Sequence, residues 1–263
     1  MTNIAQRFTC DSLEVEVYNN ETAMGVAAAE FVAGKLNLAI AARGNANLIL
    51  ATGTSQFAFL DALKNTALDW STITVFHLDE YKDISDEHPA SFRKYLRERI
   101  LNIVKPRAAY LIPGDAPNLE EEMARYESLL KQHPVDVACI GIGENGHIAF
   151  NDPPVADFND PKWVKLAELD HACRMQQMGE GWFPTLDDVP KHAVTLTIPA
   201  IMASKTISCV VPGARKGQAI ADTLLGPVET TCPASILRHH ANTVLFTDKV
   251  AMQIYEKEST TNP

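Results

Sequence analysis

Short apolar runs alternate along the chain with longer, more polar segments of helical character. The apolar runs predict strands at Leu48–Ala51, Ile73–Leu78, Val135–Ile142, Ala193–Ile198, Ile207–Val211 and Thr243–Thr247. The helical segments are Glu21–Ala42, Gln56–Lys64, Ser91–Val104, Leu119–Gln132 and Arg215–Leu225, with Lys249–Tyr255 closing the chain. Such alternation predicts an α/β protein with a Rossmann-like, doubly wound, mainly parallel sheet and helices on both faces. Val137-Ala-Cys-Ile-Gly-Ile142 is apolar throughout, as burial on two faces requires.

In open sheets of this kind the ligand crevice lies at the carboxyl ends of the strands. That rule selects Thr52-Gly53-Thr54-Ser55-Gln56, Asp79-Glu80-Tyr81, the turn Gly143–Asp152, and Pro212-Gly-Ala-Arg-Lys216. The stretch from Pro153 to Pro190 shows no clear strand pattern and carries Trp163, Trp182 and Phe183. A long segment of that kind reads as a lid, and its aromatic content favours an ordered one. No repeat or linker divides the chain, so residues 1–263 are expected to form a single domain with a lid over about 153–190.

A chain of 263 residues with 46% hydrophobic content can bury a large core. The net charge of −10 argues against nucleic-acid and anionic-membrane partners, whose recognition rests on clustered Lys and Arg. The five cysteines lack Cys-x-x-Cys spacing and read as reduced and structural, in a cytoplasmic protein. The N-terminal Met-Thr-Asn-Ile-Ala-Gln-Arg-Phe has no leader pattern, and no later run is expected to span a membrane.

Candidate chemistry gathers at the strand ends. Gly141-x-Gly143-x-x-Gly146 has the letters of a dinucleotide fingerprint, which needs a helix directly after the turn to receive the pyrophosphate. Pro153-Pro154 follow within eight residues, and proline opposes a helix there, so no nicotinamide or flavin cofactor is expected. His147, in the same turn, can exchange protons near neutral pH. Asp79 can move a proton between adjacent carbons if it is held against a substrate; as a loop acid it could equally cap the next segment. Thr52, Gly53, Thr54 and Ser55 offer hydroxyls and backbone N–H groups suited to a phosphate, or equally to a helix cap, and Lys216 could supply the countercharge. No histidine set has zinc-ligand spacing, so no metal is implied.

Leu78-Asp-Glu-Tyr81, His88-Pro89-x-Ser91-Phe92 and Gly141-Ile-Gly-Glu-Asn-Gly-His-Ile-Ala-Phe-Asn-Asp-Pro153 together resemble the glucosamine-6-phosphate deaminase (isomerase) family, over about Leu48 to Asp248. The wider superfamily holds 6-phosphogluconolactonases, which carry Asp-Glu-Arg and Gly-His-Thr-Ala-Ser patterns where this chain has Tyr81 and Ile148-Ala-Phe-Asn151. The resemblance implies a metal-free conversion of a hexosamine 6-phosphate into a ketose phosphate and ammonia. It implies glucosamine 6-phosphate as first substrate and galactosamine 6-phosphate as second. His147 would open the sugar ring, oriented by Asn145 and Asp152. Asp79 would take the C2 proton and return one to C1, and the phosphate would lie on Thr52–Ser55 with Lys216. Members occur as monomers and hexamers, so the resemblance admits a homo-oligomer, and the activator-binding residues of hexameric members find no match here. Lactone hydrolysis and non-catalytic sugar-phosphate sensing are the competing readings. Many members place a phosphate-binding arginine in the lid. Gln176 or Gln177 stands there in this chain, with Arg174 and Arg215 as the nearest substitutes.

Overall fold

Successive residues of a strand face opposite sides of a sheet, and the central strands of this chain bury both. The computed structural model describes residues 4–261; residues 1–3, part of the N-terminal stretch read above as lacking a leader, lie outside the described residues. The strands are β1 (Ile4–Cys10), β2 (Leu13–Tyr18), β3 (Ala46–Leu50), β4 (Ile73–His77), β5 (Asp79–Tyr81), β6 (Ala108–Tyr110), β7 (Val137–Ile140), β8 (Val164–Glu168), β9 (His192–Leu196), β10 (Thr206–Val211) and β11 (Thr243–Asp248). The helices are α1 (Glu21–Arg43), α2 (Phe57–Leu63), α3 (Phe92–Leu96), α4 (Asn102–Val104), α5 (Leu119–Gln132), α6 (His171–Gly179), α7 (Ile198–Met202), α8 (Gly217–Leu225) and α9 (Gln253–Thr261).

The main sheet has the order β1-β2-β11-β10-β7-β3-β4-β6, and only the β1–β2 pairing is antiparallel. On one face Val137, Cys139, Leu48 and Phe246 pack with Met24, Val32 and Leu36 of α1. On the other, Ala138, Ile140, Cys209 and Leu245 pack with Tyr126 of α5 and Ile220 of α8. This is the expected doubly wound arrangement. Helix α1 is long and apolar enough to cross a membrane by length and composition, contrary to the expectation that no such run exists, and its apolar side is spent on the sheet.

Three expectations are corrected. Ala193–Ile198 was expected in the parallel sheet. It forms β9 instead, the centre of a separate antiparallel sheet of order β5-β9-β8, and Ile198 begins α7 behind the Thr197 cap. Asp79–Tyr81, read as a loop, is the edge strand β5, in register with Thr195, Val194 and Ala193. The stretch 153–190, read as showing no clear strand pattern, contains β8 as well as α6, and Phe183 packs edge-on against Tyr81 with ring centroids 5.3 Å apart.

The closing helix is also displaced, running Gln253–Thr261 rather than Lys249–Tyr255. The Asp248 carboxylate accepts the amides of Gly213 and Ala251, which holds the preceding residues as a turn. All five cysteines are free, four of them buried.

Candidate active site

The direction of winding reverses between β3 and β7: strands β4 and β6 follow on one side, β10 and β11 on the other. A crevice at that switch point is where an open α/β sheet takes a ligand. The cleft found there is lined by Gly53 and Ser55 after β3, Asp79 after β4, His147 after β7, and Lys216 after β10.

The two outer loops share one backbone geometry. Gly53 has φ 98° and Gly213 φ 89°, a left-handed region open to glycine, and each is followed by a single 3-10 turn, Thr54–Gln56 and Ala214–Lys216. Gln56 and Lys216 then take identical angles, φ −93° and ψ −4°, before α2 and α8 begin. The helices therefore start one or two residues later than their polar pattern suggested. Gln56 is fully buried and donates to the Val210 carbonyl at 3.2 Å, spanning the end of β7. Lys216 is buried and faces the cleft; burial lowers its pKa, against the opposing charges of Glu180 and Glu144.

Between these loops the glycine turn presents His147. Among the described residues the next element after the turn is the strand β8, not a helix. Gly146 has φ 81°, and the Gly143 amide donates to the His147 carbonyl at 2.8 Å, closing the turn. A Cβ at Gly143 would overlap the imidazole, so the ring lies directly on that glycine. The turn is fastened to β9: the Phe150 amide donates to Thr195 Oγ1 at 3.0 Å and Asn151 Nδ2 to the Leu196 carbonyl at 2.8 Å. Ala149, which also lines the cleft, is held at φ 50°.

His147 Nδ1 stands 2.8 Å from Asp152 Oδ1, at an angle short of ideal hydrogen-bond geometry. Nε2 is then the nitrogen left to face a ligand. Asp152 is wholly buried, which by itself raises its pKa. The proximity of His147, a hydrogen bond from Asn145 and the Asp170 amide overcome burial and hold it below the usual range. Asn145 spends its hydrogen bonds elsewhere than on the ring. Its Nδ2 donates to Asp152 Oδ1 at 3.0 Å and to Asp170 Oδ2 at 3.2 Å, while its Oδ1 accepts the His147 amide at 3.1 Å. Asn145, expected with Asp152 to orient His147, thus holds the histidine's backbone amide and the Asp152 carboxylate.

Asp79 is 7% exposed, and burial, reinforced by the neighbouring Glu80 carboxylate, raises its pKa well above the ordinary range. The capping role open to an acid here belongs to Glu80. Its carboxylate accepts the amides of Phe92 at 3.1 Å and Arg93 at 3.0 Å and the Ser91 hydroxyl at 2.8 Å. Asp79 is thus free to face the cleft.

Helix α6 borders the cleft through Gln176 and Gln177. Gln177 accepts the Tyr81 hydroxyl at 2.7 Å and Gln176 accepts the Glu144 amide at 2.9 Å, so both glutamines tie the lid to the strand ends. Neither proposed substitute guanidinium lines the cleft. Arg215 pairs with Glu144 at 2.6 Å, and Arg174 donates to the Leu186 and Val189 carbonyls within the lid.

Of the residues singled out by sequence, Thr52, Gly53, Ser55, Asp79, His147 and Lys216 line one cleft. Thr54 does not line it but gives its hydroxyl to Glu180, while Asn145 and Asp152 lie behind the imidazole. Two residues at the site escaped sequence reading. Glu180 lines the cleft, and the Cys173 thiol lies within 4.8 Å of donor atoms of Asp152 and His147. A shared ion could be held by His147, Asp152 and Cys173, whose donor atoms lie within 4.8 Å of one another. Burial raises the thiol pKa far above its usual value, however, and a protonated Cys173 donating to Asp152 fits the cluster better than a thiolate ligand.

Residues 19–246 match the model of the glucosamine-6-phosphate isomerase/6-phosphogluconolactonase family. A glucosamine-6-phosphate deaminase of Bacillus cytotoxicus is 34% identical over 215 residues, covering 82% of this chain and 80% of that protein. Its counterpart in Bacillus cereus is 35% identical over 210 residues, covering 80% and 78%. The solved structure of a monomeric glucosamine-6-phosphate deaminase superimposes with a TM-score of 0.84 at 29% identity, over 91% of this chain and 99% of that one. A 6-phosphogluconolactonase from Shewanella baltica shares the fold, with a TM-score of 0.74 at 19% identity, over 89% and 97%. A match over this much of the chain places it in the glucosamine-6-phosphate isomerase/6-phosphogluconolactonase family.

Proposed function

We propose that the protein converts a hexosamine 6-phosphate, glucosamine 6-phosphate first, into a ketose phosphate and ammonia. The carrying observation is the pairing, across one cleft, of a carboxylate-backed imidazole with a second carboxyl whose pKa is raised by burial. Ring opening moves a proton from the anomeric hydroxyl to the ring oxygen, the task of His147 through Nε2. Asp152 fixes the tautomer and opposes any charge the ring gains. Carbon acidity is the harder step: the C2 proton passes to Asp79, an enolamine forms, and a proton returns to C1. A carboxyl raised towards neutrality suits both halves of that transfer. Water then attacks the resulting C2 iminium carbon and ammonia leaves.

The phosphate is assigned to the backbone of Gly53–Ser55 with Lys216 as counterion. Deaminase relatives at 34–35% identity support this reading over lactone hydrolysis, because the phosphogluconolactonase likeness, at 19% identity, bears on the fold alone. The test is ammonia and ketose-phosphate release from glucosamine 6-phosphate and galactosamine 6-phosphate, run beside 6-phosphogluconolactone hydrolysis. Turnover of either amino sugar is expected; silence with both sinks the proposal.

A further inference from the structure

The lid places a carboxylate in the corner where a phosphate needs positive charge. Glu180 lines the same cleft as Gly53, Ser55 and Lys216. Its Oε1 accepts Gln176 Nε2 at 2.8 Å, and its Oε2 accepts Trp182 Nε1 at 3.2 Å and the Thr54 hydroxyl at 3.4 Å. Oε2 also lies 3.9 Å from where a Cβ on Gly53 would sit. Two donors on its own segment, Gln176 and Trp182, and one on the facing loop, Thr54, hold this carboxylate in place. Thr54, the one residue of Thr52–Ser55 that does not line the cleft, gives its hydroxyl to Glu180. The glutamines at the lid-arginine position serve the same end: Gln176 holds Glu180, and Gln177 anchors the helix on Tyr81.

A phosphate monoester carries up to two negative charges near neutral pH. Seated on Gly53–Ser55 and Lys216, it would face Glu180, a half-buried carboxylate that lines the same cleft as the buried Lys216. We infer that Glu180 is a specificity-determining residue, a carboxylate that borders the anion cradle and that the substrate's phosphate must push aside. This rests on the phosphate assignment made above. The lid therefore trades an attractive cation for a competing anion. Affinity at the distal end of the sugar is set by how readily Glu180 gives way, and Trp182, bonded to the same oxygen, senses the exchange.

The experiment titrates inorganic phosphate into the full chain and into Glu180→Gln, reading heat by calorimetry and indole emission by fluorescence, with Trp182→Phe to identify the reporting tryptophan. Removing a like charge from the same cleft is expected to tighten phosphate binding about tenfold. The Trp182 emission change on phosphate addition should shrink in Glu180→Gln, and KM for a turned-over hexosamine 6-phosphate should fall more than kcat changes. Glu180→Ala, which cannot keep the lid contacts, should shift phosphate affinity in the same direction. Equal or weaker phosphate binding by both variants overturns the inference, as does a failure of wild type and variants alike to bind phosphate. Phosphate binding is read without turnover. An inactive protein whose phosphate affinity rises on Glu180→Gln would therefore sink the proposed reaction and leave this inference standing.

Discussion

Asp152 Oδ1 lies 2.8 Å from His147 Nδ1, and Asn145 bonds to that carboxylate rather than to the ring. The order of support is therefore Asn145 to Asp152 to His147. Asp152→Asn should lower kcat by about 10²-fold or more, by unsettling the tautomer on which proton transfer depends. Asn145→Ala, one step removed, should cost less, and steady-state kinetics on the two variants checks the ranking.

The pH dependence of stability follows from the same carboxylate. Asp152 is held below its usual range, so its stabilising contribution is present above the ordinary carboxylate pKa and lost as pH falls through that range towards the folded-state value. Asp152→Asn should therefore be destabilised at neutral pH and show a shallower loss of stability on acidification. Urea melts at a series of pH values check this; an acid slope identical to wild type contradicts it.

Asp79 has the opposite sign. Its folded-state pKa is raised by burial and by Glu80, so its contribution is favourable below the unfolded value and lost as pH rises. Asp79→Asn should stabilise the protein by about 1 kcal/mol at pH 7.5, gain little at pH 4, and be nearly inactive. The acid limb of wild-type kcat/KM should lie above the ordinary carboxylate range. Thermal melts at both pH values and a pH–rate profile test these together.

Gly143 lies directly against the imidazole. Gly143→Ala should lower activity by about 10²-fold by displacing His147, since a small misplacement of a reacting group costs that much. Global stability should suffer far less, because the turn borders an open cleft. A variant with wild-type kcat would show that the ring position is not critical.

Lys216→Met should raise KM for a hexosamine 6-phosphate about 10- to 100-fold, as expected for loss of one charge-assisted contact. An unchanged KM would place the phosphate elsewhere.

The sheet and most of the site were legible because their signals are local. β3, β7 and β10 are mostly apolar runs ending in glycine turns, and the switch-point rule turns that pattern into one cleft. Elements outside the main sheet were not. β5 is three residues, Asp-Glu-Tyr, whose strand state comes wholly from pairing with β9, 116 residues further along at Asp79 and Thr195. In β8, Val164 and Ala167 are buried while Leu166 is 42% exposed, so its burial does not follow the period of two. The hairpin β1–β2 is a different case: Leu13, Val15 and Val17 alternate cleanly inwards, and the signal was present. Glu180 carries no sequence mark, because its meaning depends on Thr54, 126 residues away.

Hydrogen exchange at carbon tests the central claim most directly. With glucosamine 6-phosphate in D2O, the wild-type protein should deliver ketose phosphate carrying deuterium at C1. Asp79→Asn should leave the C2–H bond intact and form no ketose, while His147→Ala should form ketose only slowly. Loss of the C2 proton at the wild-type rate in Asp79→Asn would contradict the assignment of Asp79 as the base that faces the His147–Asp152 pair.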